Sequence, residues 1–159
     1  MMDWLEQLYH LYDAYEETAK EVRSKASRYA GAFGLGDDPR KHSCHERFFE
    51  DVGRWTQTFV DSGPSTETVI RAVWWILKAA DTRRNTDVFG YLYAMHEHVK
   101  DMIPLLPQEE SLALLQWYDQ TYPERERWPV HQEVYRLLQQ QSGIKPVMHR
   151  GMLSFFRRK

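Results

Sequence analysis

The chain has 159 residues, of which 42% are hydrophobic and 14% aromatic, and it carries a formal net charge of −2. That length suits one domain whose core needs no disulfide or metal to fold, and the composition excludes a disordered chain. Its single cysteine, Cys44, excludes an intrachain disulfide and fits a reducing compartment.

Gly and Pro fall in clusters, and the stretches between them read as helices. From about Asp3 to Ala30, the residues Trp4, Leu8, Leu11, Tyr15, Ala19, Val22, Ala26 and Tyr29 recur at three and four. That is the helical period, and it predicts a long first helix. Three glycines and Pro39 then interrupt the pattern. Ser43 with Glu46 forms a capping-box pair that predicts the start of a second helix, whose face is Phe48, Val52, Trp55 and Phe59. Ser62-Gly63-Pro64 ends it, and Ser65 is placed to cap a third. The third helix carries Val69, Ile70, Val73, Trp74, Ile76, Leu77 and Ala80, a wide apolar face that predicts deep burial.

A fourth helix is expected from about Asp87 to Ile103, with Val88, Leu92, Met95, Val99 and Met102 in one stripe. Pro104 and Pro107 bracket the next break. A fifth helix then bears Leu112, Leu115, Tyr118 and Tyr122 and stops at Pro123. A sixth starts near Pro129, a residue suited to a first helical position, and closes at Gly143. The expected fold is therefore all-α: a single domain of five or six mostly antiparallel helices, bundle-like, with the first helix long. The helical domain covers 1–143, and 144–159 is a basic amphipathic tail docked on it. Trp55, Val73, Trp74, Leu77, Leu92, Val99, Leu115 and Leu138 are expected inside.

The most apolar stretch, Val69 to Ala80, contains Arg71 and Lys78 and is too short to span a bilayer. The N-terminus shows no basic region followed by an apolar run. The expected location is cytoplasmic.

Three groupings are candidates for chemistry or binding. The first is His42-Ser43-Cys44-His45-Glu46, at the predicted start of the second helix. A helix N-terminus lowers a thiol pKa, and His42, Cys44 and His45 are suitable zinc ligands. A structural zinc site needs four ligands in spaced pairs, however, and no second pair is present. The second is His96-Glu97-His98. On a helix these imidazoles stand about 200° apart, so they flank the apolar stripe and cannot chelate one ion together.

The third is the tail. After Glu133 the chain has no acidic residue and six cations: Arg136, Lys145, Arg150, Arg157, Arg158 and Lys159. That leaves 15 cations against 23 acids in residues 1–133, a net of −8. Arg150, Phe155, Phe156, Arg157, Arg158 and Lys159 are the candidate binding residues, cations beside an aromatic pair.

No nucleophile motif, phosphate-binding glycine loop or Glu-x-x-His pair occurs. The expected function is a non-enzymatic helical protein that binds another macromolecule as an adaptor, regulator or inhibitor. Its partner is expected to be a protein, and no cofactor is implied. A second reading is a metal- or thiol-dependent activity centred on Cys44 and His45. A third is association with nucleic acid or a membrane surface through the tail, helped for nucleic acid by Arg83 and Arg84 but opposed by the acidic body.

Overall fold

The computed structural model describes residues 3–33, 39–82 and 91–144, with side chains except those of 22–33, 39–43 and 91. Helices account for most of these residues: α1 (Trp4–Phe33), α2 (Pro39–Asp61), α3 (Thr66–Thr82), α4 (Tyr91–Ala94), α5 (His96–Val99), α6 (Gln108–Thr121) and α7 (Pro129–Ser142). Short 3₁₀ turns follow α5 at Ile103–Leu105 and α6 at Glu124–Glu126. The fold is all-α, and among the described residues there is no strand. No described helix is long and apolar enough to cross a membrane.

Two antiparallel hairpins frame the structure. In the first, α1 runs against α2, so that Trp4 meets Trp55, Tyr12 meets Phe48 and Tyr15 meets His45. Its stripe is centred on Leu5, Leu8 and Tyr12, with Trp4, Tyr9, Leu11 and Tyr15 half-buried on its flanks. The Trp55 indole donates to the Trp4 carbonyl at 3.2 Å, and the Trp55 and Phe59 rings stack at 4.7 Å. In the second hairpin α6 pairs with α7. Gln108 donates to the Ser142 carbonyl at one end, and Tyr118 reaches His131 at the other.

Between the hairpins lie α3 and the broken segment α4–α5. The Ser65 hydroxyl accepts the Thr68 amide at 3.3 Å and so caps α3, as its sequence predicts. Val69, Ala72, Val73, Ile76, Leu77, Ala79 and Ala80 of α3 are all buried. Small side chains let its neighbours approach. Trp75 meets Tyr9 of α1 at 4.3 Å, and Trp74 meets Trp117 of α6 at 5.6 Å.

The sequence expectations need four corrections. First, α1 continues to Phe33 and α2 begins at Pro39, so Ser43 lies inside a helix and does not open one. Proline at a first helical position costs nothing, because its missing amide would have no intrahelical partner there. Second, the expected fourth helix is broken at Met95. The amides of Met95, His98, Met102, Leu105 and Leu106 bond to carbonyls three residues back, which tightens the segment towards 3₁₀ geometry. Third, Trp74 is half-buried, because its ring lies along the α3–α6 seam with Lys78 over its face at 4.8 Å. Fourth, Leu112 is exposed, and Ser111 and Leu114 take the inward positions with Leu115 and Tyr118. The remaining seven expected core residues, including Trp55 and Leu138, are buried.

Candidate functional site

The predicted Cys44–His45 grouping sits one and a half turns inside α2, away from the helix N-terminus. The thiol loses the dipole that would have activated it. Cys44 is half-buried, and burial pushes its thiol above the ordinary value, with Arg47 opposing in part. His45 turns away to α1, where its Nδ1 shares a 2.5 Å hydrogen bond with the Tyr15 hydroxyl. The His42 side chain lies outside the described residues. Among the described residues no three of His, Cys, Asp or Glu come together as a metal-binding group.

His96 and His98 point to opposite sides, as their spacing on a helix requires. The Nε2 of His98 donates to the Phe49 carbonyl of α2 at 2.9 Å, and the two rings pack at 4.3 Å. Desolvation lowers its pKa, with the carbonyl bond, Glu97 and Asp101 pulling the other way. Gly53 makes this contact possible, because a Cβ there would stand 2.9 Å from the His98 ring.

His96 enters a different environment. It is fully buried (0% exposed), and its ring centroid lies 5.2 Å from that of His131, which is 2% exposed. Tyr93 of α4, Tyr118 of α6 and Tyr122 just beyond α6 surround the pair. Tyr122 stacks on His131 at 4.4 Å and meets His96 edge-on at 5.8 Å. Tyr93 presents itself edge-on to both imidazoles, 5.9 Å from His96 and 5.3 Å from His131. The His96 Nδ1 and the Tyr118 hydroxyl share a 3.1 Å hydrogen bond, while the His96 Nε2 is buried with no hydrogen-bond partner.

Local sequence explains why the pair forms. Pro129 opens α7, so His131 occupies the third helical position, where a side chain can reach back to the residue before the helix. Its Nδ1 accepts the Trp128 amide at 3.1 Å. That bond fixes the ring and places the proton of the neutral imidazole on Nε2. Trp128 itself is 48% exposed and packs its ring beside Tyr93 and His131. Arg127 holds the outer edge: it donates to the Tyr122 carbonyl at 2.8 Å, pairs with Asp119 at 2.6 Å and lies over the Tyr135 ring at 3.8 Å.

The electrostatics favour neutral groups throughout. Desolvation, with His131 adding to it, lowers the His96 pKa to about 3. Burial, with Tyr122 adding to it, raises Tyr118 well above the ordinary phenol value, and Arg127 opposes only in part. His96 is thus neutral and the Tyr118 phenol is protonated at neutral pH. Sequence reasoning missed His131. Its signal was its place on the inward stripe His131–Val134–Leu138, one turn before an aliphatic residue.

The opposite end of the α6–α7 hairpin is held by side-chain bonds to backbone. Gln141 donates to the Leu106 carbonyl at 2.8 Å and Gln108 to the Ser142 carbonyl at 3.0 Å, joining the start of α6 to the end of α7. Leu105 before α6, Leu112 within it and Ile144 after α7 are exposed. The tail residues Arg150, Phe155, Phe156, Arg157, Arg158 and Lys159 follow directly in sequence but lie outside the described residues, as do Arg83 and Arg84. No protein-family model, curated protein or solved structure matches the chain.

Proposed function

We propose that the protein is a non-enzymatic helical module that binds another protein through its basic tail and the aliphatic end from which that tail departs. The supporting observation is that Leu105, Leu112 and Ile144, which border the start of α6 and the end of α7 in the chain, are exposed. Exposed aliphatic side chains supply the apolar contact that the centre of an interface needs. The six cations after Glu133 give the C-terminal sequence charge of one sign, against a net of −8 in residues 1–133. By contrast, the His96–His131 chemistry is sealed inside the core, which favours recognition at the surface over catalysis within. The aromatic content of 14% does not add to this reading, since Tyr12, Phe48, Trp55, Phe59, Tyr93, Tyr118 and Tyr122 are buried in the core.

A photo-crosslinking residue placed at Leu112, and separately at the exposed Asp13 of α1, tests the surface in native cells. The expected result is a discrete protein adduct from position 112 alone, weakened by salt and lost when residues 145–159 are removed. The truncated protein should keep its circular dichroism and melting temperature. Equal adducts from both positions, or an undiminished adduct after truncation, would overturn the reading. An adduct to RNA or lipid would replace the protein partner with one of those. A truncated protein that unfolds would make the tail part of the core.

A further inference from the structure

The His96–His131 pair joins three elements that are distant in sequence, and its geometry suits one protonation state. His96 stands at the start of α5, His131 in the first turn of α7, Tyr118 in the last turn of α6 and Tyr122 just beyond it. The bond that fixes His131 depends on a neutral ring. The Nδ1 of His131 accepts the Trp128 amide, and an imidazolium has no acceptor nitrogen, so protonation breaks that bond. It also places a cation in the first turn of a helix, where the backbone dipole is unfavourable to positive charge. The Nε2 of His96 already lacks a partner, so a charged ring would be buried with one N–H unanswered. The 5.2 Å between centroids sets two like charges side by side when both rings are protonated.

Among the described residues, the charged groups on the surrounding elements are exposed, engaged with one another or cationic. From α4 the pair meets Tyr93, and from α6 it meets Tyr118 and Tyr122, all phenols. Asp119, the nearest carboxylate on α6, is exposed and engaged by Arg127 and Tyr135. On α5 and α7, Glu97 and Glu133 are exposed or half-exposed and bind Lys100. On α3, Arg71 and Lys78 are exposed cations.

We propose that the His96–His131 pair is an acid-sensitive latch, whose protonation releases the Trp128–Val134 start of α7 from α6 and α5 while the α1–α2 hairpin stays folded. The proposal is independent of the binding function above. The sign follows from linkage. The folded-state pKa of His96 is depressed to about 3 from an ordinary 6.5, so the closed state binds fewer protons than the opened one. Closure is therefore fully favoured above pH 6.5 and is progressively lost as pH falls from there towards 3. Between pH 7.5 and 5.0, one such histidine makes opening about 30-fold more frequent.

Native-state hydrogen exchange of the full chain, corrected for intrinsic rates and measured across low urea at several pH values, reads this directly. The expected result is that amides of 131–135 exchange through an opening with weaker urea dependence than amides in α1 and α2. That opening should become about 30-fold more frequent from pH 7.5 to 5.0. The double variant His96→Gln with His131→Gln should lose the pH dependence, because Gln cannot titrate and Gln at the third helical position still reaches the Trp128 amide. His98→Gln should leave it intact, since His98 faces α2. Two outcomes overturn the latch: α7 amides that exchange only with the urea dependence of α1–α2 at every pH, or a double variant that keeps the acid response. The wild-type urea comparison decides alone if the double variant fails to fold.

Discussion

Replacing Gly53 with Ala should destabilise the protein, although the same change in the middle of most helices stabilises it. Gly53 lies inside α2, and exchanging an interior helical Gly for Ala ordinarily gains about 1 kcal/mol. Here the new Cβ would stand 2.9 Å from Cε1 of His98 and 3.5 Å from both ring nitrogens. The ring cannot simply swing away. Its Nε2 is bound to the Phe49 carbonyl at 2.9 Å, and its face packs on Phe49. Losing that bond costs about 1 kcal/mol, and forcing extra volume into a packed contact costs about 1–3 kcal/mol more. The net expectation for Gly53→Ala is a loss of about 1–3 kcal/mol, the propensity gain being outweighed. Urea unfolding followed by circular dichroism, at pH 7.5 with the slope compared between variants, measures it. The control is the same substitution in a His98→Ala background. With the ring gone, Gly53→Ala should gain about 1 kcal/mol, so the sign reverses. A gain of about 1 kcal/mol in the wild-type background would refute the reasoning and show that His98 yields without cost.

Trp74→Ala should cost about 1–2 kcal/mol by the same unfolding assay, below the 3–5 kcal/mol of a fully enclosed tryptophan, because the ring is only half-buried along Trp117. A loss above 3 kcal/mol would mean that the α3–α6 seam depends on this ring as a core residue. Cys44 should alkylate more slowly than a free thiol and titrate above the usual 8.5 or so, since burial raises it and it sits away from the α2 N-terminus. Rapid modification with a midpoint below that value would restore the activated-thiol reading.

The boundaries that Gly and Pro impose were legible because those residues act locally. Pro129 begins α7, Gly143 closes it with φ 75°, and Gly63 turns with φ 66° between α2 and α3. What misled was competition between local signals. The Ser43–Glu46 pair has the form of a cap, yet Pro39 starts the helix earlier, so the dipole argument for Cys44 lost its basis. The fourth helix looked continuous because Leu92, Met95, Val99 and Met102 suit either helical pitch, and period alone cannot separate three residues per turn from 3.6. The His96–His131 pair was unreadable for another reason. Its members are 35 positions apart on elements whose crossing no periodicity fixes, and each looks like an ordinary core-edge histidine. The tail, which carried the functional expectation, is recognisable by composition alone.

The broken middle segment bears on how the protein can be taken apart. Helices of four residues have no stability of their own in water, since nucleation costs more than so few bonds return. α4 and α5 therefore owe their helicity to α3 and to the hairpins on either side, and α5 touches both of them, through His98 on α2 and His96 on α7. Their order is a collective property: it exists only when the N-terminal and C-terminal hairpins are present together. Cutting the gene between α3 and α4 would then yield two fragments that each keep a hairpin, but neither would keep this segment helical until they are mixed. Complementation of the fragments would be visible as helix regained at residues 91–99.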